Sequence, residues 1–228
     1  MSLYFILLTA SGAVPLLLSF DKRLQFYKQW KYLFPSILLV ALVYIIFDVN
    51  FTNRGVWGFN PDYLSGIYLF SLPLEEILFF VVIPYASIFL HESIREYFPR
   101  LELQRSLNKG LLIALILMNV LIAIFNTDKS YTFYIAIKLA AVLLFVLLLN
   151  SRITRSFFIT FGVILVPFLI VNGILTGSFI DGEVVWYNNN ENLGIRLFTI
   201  PIEDFAYAFS MILYNLLLIE QIKKFVSK

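Results

Sequence analysis

The sequence predicts an all-α fold, a polytopic membrane helix bundle with seven transmembrane helices and a parallel 3+1+3 internal repeat. Three observations carry this: a composition outside the soluble range, seven long apolar runs, and an acidic motif that occurs twice at an offset of 128 residues. The chain has 228 residues, 60% apolar or aromatic and 14% charged, with a mean hydropathy of +0.85. Soluble domains carry roughly 45–50% apolar and about 25% charged residues. The absence of Cys excludes a disulfide scaffold and a Cys-ligated metal or iron–sulfur centre, and a single His makes no His-rich metal set. A net charge of +2 leaves no basic footprint for nucleic acid.

A bilayer core about 30 Å thick needs roughly 20 residues of apolar helix. The runs cover about 2–20, 33–49, 69–90, 111–126, 132–149, 157–176 and 197–219. The first lacks a basic leader and is followed by Asp21, Lys22 and Arg23 rather than small residues, which reads as a retained helix and not a signal peptide. No run alternates as barrel strands do. Basic residues are retained on the cytoplasmic side. Lys and Arg cluster at 22–31, 95–109, 152–155 and 223–228, the last including Lys228; only Arg54, Lys129 and Arg196 fall on the other side. This places the chain in the cytoplasmic (inner) membrane with a cytoplasmic C-terminus and the acidic motifs toward the outer side.

Gly66 to Glu76 lies over Gly194 to Asp204 with six of eleven positions identical, among them the Gly, the Pro and the first acid. The same offset pairs Asn60 with Asn188 and Glu92 with Glu220, while Trp57 and Trp186 align with one residue slipped. The repeat divides one membrane unit into 1–98 (helices 1 to 3), 99–130 (a connector with helix 4) and 131–228 (helices 5 to 7). Helices 3 and 7 become equivalent, and their motifs can meet at one interface.

Glu75, Glu76, Glu203 and Asp204 are the candidate catalytic residues. A carboxylate in mid-membrane costs roughly 2.5–3.5 kcal/mol on insertion scales, so such groups face a protein interior or a cavity. The alternative is that the helices begin at Pro73 and Pro201, with the acids in a first turn at the favourable end of the helix dipole. Within a helix the same prolines would instead free the carbonyls of Leu69 and Leu197. Successive helical residues point about 100° apart, so one acid per helix faces inward. If Glu75 does, Glu203 does also, and Glu76 and Asp204 lie behind. Adjacent carboxyls do not both ionise readily, which supplies an acid beside a base.

Lys138 is the one cation within an apolar run; it needs a counter-ion, for which the motif acids are candidates, or it snorkels outward. Asp48, Asn119 and Asn172 are further polar residues in or near spans, Asn172 reading as a helix–helix hydrogen bond. His91 reads as solvated at the end of helix 3. Trp57, Phe70, Trp186, Phe198 and Tyr207 lie near the motifs, where aromatic faces can bind substrate and stabilise a carbocation, or form an interfacial belt.

Pro-Leu-Glu-Glu at 73–76 and Pro-Ile-Glu-Asp at 201–204, with Trp-Gly-Phe-Asn-Pro at 57–61, resemble the heterodimeric-type lycopene cyclases in a fused single-chain form. The resemblance implies cyclisation of the ψ-ends of lycopene to β-ionone rings, by way of γ-carotene to β-carotene, with the four motif acids as catalytic residues. Its substrates would be lycopene and γ-carotene in the bilayer, with membrane lipids and other carotenoid enzymes as neighbours. No Gly-x-Gly-x-x-Gly is present, so no dinucleotide cofactor is expected, and no metal. Buried acids and Lys138 on a duplicated scaffold also fit a proton- or cation-coupled transporter, and a carotenoid-binding scaffold is a third reading.

Overall fold

In the computed structural model, residues 2–226 are described; Lys228 of the terminal basic cluster lies outside them. Helices dominate: α1 (Leu3–Leu18), α2 (Trp30–Asn53), α3 (Leu74–Tyr97), α4 (Arg105–Phe125), α5 (Ser130–Leu148), α6 (Thr154–Leu175) and α7 (Ile202–Val226). Six are long and apolar enough to cross a membrane; α1, with 16 residues, is shorter. Outward faces are apolar, as with Leu38, Leu42 and Ile46 on α2, Leu117 and Leu121 on α4, and Val166 and Ile170 on α6. In lipid such faces need no cover.

Six short strands gather at one end: β1 (Trp57–Phe59), β2 (Tyr68–Leu69), β3 (Leu72–Pro73), β4 (Val185–Tyr187), β5 (Arg196–Leu197) and β6 (Ile200–Pro201). Strands β2–β3 and β5–β6 are hairpins of the same register, Tyr68 opposite Pro73 and Arg196 opposite Pro201. Phe70 and Phe198 occupy the same place in their turns, at φ 53° and 55°. Each hairpin runs directly into a helix, because proline has no N–H to continue a ladder and its fixed φ suits a helix start. Leu74 N–H then donates to Ile67 O at 2.8 Å, and Ile202 N–H to Ile195 O at 3.0 Å.

This corrects the expected limits of helices 3 and 7. Residues 69–73 and 197–201 are apolar but belong to the hairpins, so the prolines initiate helices and free no carbonyl inside them. The acids therefore sit in the first turns of α3 and α7. They are nevertheless buried, Glu75 at 0% and Glu203 at 4% exposure.

The packing is reciprocal. Helix α1 packs on α3 and α5 on α7, while α2 packs on α7 and α6 on α3; α4 lies against α5. Strands β1 and β4 pair antiparallel about Gly58 opposite Trp186. Trp57 and Trp186 lie on these two paired strands, Trp57 opposite Tyr187 and Trp186 opposite Gly58. His91 is also not solvated. It is fully buried, with Nδ1 2.7 Å from Thr160 Oγ1, because α3 continues well past it to Tyr97.

A Cβ on Gly58 would overlap the Trp186 indole, whereas one on Gly110, inside α4, would meet nothing. Gly58→Ala is expected to lower stability by about 1–3 kcal/mol. Gly110→Ala should raise it by up to about 1 kcal/mol. Thermal unfolding of the detergent-solubilised protein measures both.

Candidate active site

Where the strands cover the helix ends, a cavity opens between the halves, about 580 Å³ of empty space including its mouth. Every helix except α4 contributes to its lining. Its walls are largely apolar and aromatic, among them Phe79, Ile83, Phe168 and Met211.

Glu75 and Glu203 lie behind the cavity and hold its rim together. Glu75 Oε1 accepts from Ser2 Oγ and from the Ser65 N–H, each at 2.6 Å. Glu203 Oε1 accepts from Thr132 Oγ1 at 2.6 Å and the Leu193 N–H at 2.8 Å. Each thus ties the first helix of its half, the loop and the third helix at one level. The next residue on each helix, about 100° further round, turns into the cavity. Glu76 and Asp204 both line it. The conditional reading in which Glu75 and Glu203 face inward is reversed, because the two glutamates are taken up by loop and helix N-terminal donors.

Glu76 Oε2 accepts one hydrogen bond, from Tyr4 Oη at 2.6 Å. Asp204 accepts three: from Tyr131 Oη to Oδ1 at 2.5 Å, and to Oδ2 from Asn172 Nδ2 at 2.8 Å and Tyr187 Oη at 3.0 Å. Burial and the Asp204 carboxylate together push the Tyr187 hydroxyl well above its ordinary pKa, so it remains a donor.

Of the aromatic candidates, Trp57 and Tyr207 line the cavity. Trp57 packs edge-on against Tyr131 with ring centroids 5.0 Å apart, and Tyr131 stacks on Tyr187 at 5.8 Å. Phe70 and Phe198 stand at the hairpin tips, 81% and 79% exposed, and Trp186 packs outside over Gly58 at 42% exposure; none of the three lines the cavity. Pro73 and Pro201 lie under the motifs as helix starts.

Lys138 is buried at 9% exposure, which excludes snorkelling. Its ammonium lies 4.0 Å from the Phe47 ring centre and 4.5 Å from that of Tyr44. Its electrostatic partner is Asp48, not a motif acid. Residue 138 is two turns below Tyr131, about 10 Å along the helix from the level of Asp204. Asn172 makes the expected helix–helix bond, but to a motif acid, and Asn119 Nδ2 donates within α4 to Leu115 O. Tyr4 and Tyr131 were not marked as site residues by the sequence.

A family model described as lycopene cyclase matches residues 1–94 and 128–222, most of the chain. The chain belongs to the lycopene cyclase family. No curated protein and no solved structure gives a match. Each matched segment contains one acidic motif, and the whole of α4 falls between them. Membership makes the chain an enzyme of carotenoid cyclisation and its substrates carotenoids.

Hydrogen bonds to a charged group contribute about 1.5–3 kcal/mol each. Tyr187→Phe and Asn172→Leu are each expected to lower stability by about that amount. Thermal unfolding in detergent, with Asn119→Leu as a control that touches no carboxylate, checks it.

Proposed function

We propose that this lycopene cyclase converts the ψ-ends of lycopene to β-ionone rings, through γ-carotene to β-carotene, by acid–base chemistry without electron transfer. The observation that carries the reading is the pair of carboxyls, Glu76 and Asp204, from two different halves in one aromatic-walled cavity at the ends of apolar helices. Glu76, with one donor on it, carries the proton that adds to the terminal double bond. The neighbouring double bond attacks the resulting cation and closes the six-membered ring. Asp204, held by three donors, stays the anion that faces the positive charge, and donors aimed at a carboxylate favour that form. Trp57, Tyr131, Tyr187 and Tyr207 present ring faces or edges to the cavity, where a cation is stabilised and water excluded.

On this reading Glu75 and Glu203 are positioning residues. They spend the favourable helix-start position on structure and leave the neighbouring carboxyl for chemistry. The chain is a tandem duplication in the 3+1+3 plan, units 1–98 and 131–228 joined by 99–130, with all seven helices in the cytoplasmic membrane and the motifs toward the outer side. The chain carries no Gly-x-Gly-x-x-Gly, and on this reading it uses no dinucleotide cofactor. Purified protein is expected to show no flavin absorbance.

Expression in a lycopene-accumulating bacterium, with pigments separated, tests the proposal. Wild type should yield cyclic carotenoid, and Glu76→Gln and Asp204→Asn should each lower it at least about 100-fold, the usual contribution of an acid and of a charge that stabilises the transition state. Glu75→Gln and Glu203→Gln should lose less, about tenfold, since an amide oxygen still accepts the loop N–H. Membranes given preformed unlabelled lycopene in deuterated water should place one solvent deuterium at each new ring's protonated carbon. Unchanged lycopene with folded wild-type protein in the membrane would sink the proposal.

A further inference from the structure

A third carboxyl lines the cavity: Asp48 of α2, only 2% exposed. Both oxygens of Asp204 are occupied by donors. Asp48 takes a hydrogen bond from the Trp57 indole, and its buried Oδ2 has no hydrogen-bond partner among the described residues. Glu75 and Glu203 also keep an unpartnered oxygen, but neither lines the cavity. Lys138, whose charge acts on Asp48, lies over the rings of Tyr44 and Phe47, and its Nζ has no hydrogen-bond partner among the described residues. A buried ammonium needs a counter-charge, and a cation nearby favours the charged form of a carboxyl. Asp48, Glu76 and Asp204 do not converge as a metal-ligand set.

We propose that Asp48 is the catalytic base that removes the ring proton, and that Lys138 is its positioning residue; this rests on the cyclase reading above. A base must offer a free lone pair to a C–H bond. With Glu76 as the acid, two carboxylates remain in the cavity, and Asp48 is the one with an oxygen free of donors. The proton leaves a carbon beside the ring cation for Asp48 Oδ2, and the C–H electron pair becomes the ring double bond. Glu76 has then lost one proton and Asp48 gained one, so return of that proton to Glu76 completes an isomerisation with no oxidant or reductant. The position of the base also selects the ring. Loss from the ring carbon that bears the chain gives a β ring, from the ring methylene an ε ring, and from the methyl group a γ ring.

The full chain, in membranes of lycopene-accumulating cells, tests this with pigment amounts normalised to folded protein by size-exclusion in detergent. Folded wild type that forms no cyclic product overturns the cyclase reading and this proposal with it. Given active wild type, Asp48→Asn should lower cyclic product at least about 100-fold, or divert it to rings with a displaced double bond or a hydroxyl from captured water. Asp48→Glu should restore part of it. Lys138→Met should lower turnover about tenfold with the ring distribution broadened. That distribution is a ratio within each sample, so a structural defect that removes folded protein does not move it. Asp48→Asn with wild-type turnover and wild-type rings overturns the assignment to Asp48. If that variant does not fold, folded Asp48→Glu and Lys138→Met with unchanged turnover and rings overturn it instead.

Discussion

Inside an apolar bundle a buried carboxyl depends on donors that the chain itself brings to at least one of its oxygens. This requirement organises the cavity end of the protein. Glu75 and Glu203 can be buried only because Ser2 and Thr132, at the starts of α1 and α5, and the loop N–H groups of Ser65 and Leu193 converge on them. Convergence fixes α1 parallel to α3 and α5 parallel to α7 with their starts level. It also fixes the helix phase, and the phase aims the following acid into the cavity. The hairpins and the prolines serve the same end, since they deliver the chain to each helix with the acid pair in its first turn.

The halves match in scaffold and differ in donors. Tyr4 donates to Glu76 as Tyr131 does to Asp204; shifted by 128 residues, Tyr187 falls on Phe59 and Asn172 on Tyr44, so the other two donors to Asp204 have no like counterparts at Glu76. Both Phe59 and Tyr187 line the cavity. One hydroxyl present on one side and missing on the other is enough to give two like carboxyls unlike environments. Asp48 and Lys138 are similarly one-sided, falling on Thr176 and Ala10. A symmetric scaffold with asymmetric polar groups is a direct route to an acid on one side and an anion on the other.

Apolar runs in the sequence locate the helices well, because each helix keeps a lipid-facing side that composition alone reveals. They misplace the starts of α3 and α7, since Leu69, Phe70 and Leu72 are as apolar in a hairpin as in a helix and only the missing N–H of Pro73 marks the boundary. The acid motifs are legible as unusual residues in matching places. Which acid of each pair faces the cavity is not, because the 100° step gives a difference in direction and no absolute phase. Tyr4 and Tyr131 are invisible in a chain with 13 Tyr and 24 Phe, where nothing local separates a donor from a belt residue. Asp48 and Lys138 stand out singly, but their pairing joins α2 to α5 and follows from packing alone.

Two motifs share one cavity; they do not form two. On the proposed reading, a single Glu76 proton and a single Asp204 anion serve both ends of the polyene. Simultaneous cyclisation of the two ends is then impossible within one chain, since the far end of an extended polyene lies well beyond a cavity of about 580 Å³. The monocyclic compound must withdraw and return end for end. Its apolar body dissolves in the same lipid that surrounds α2, α4 and α6, so the return costs no transfer through water. On that reading, passage through γ-carotene follows from the sharing of one cavity by both motifs and not from any preference between substrates.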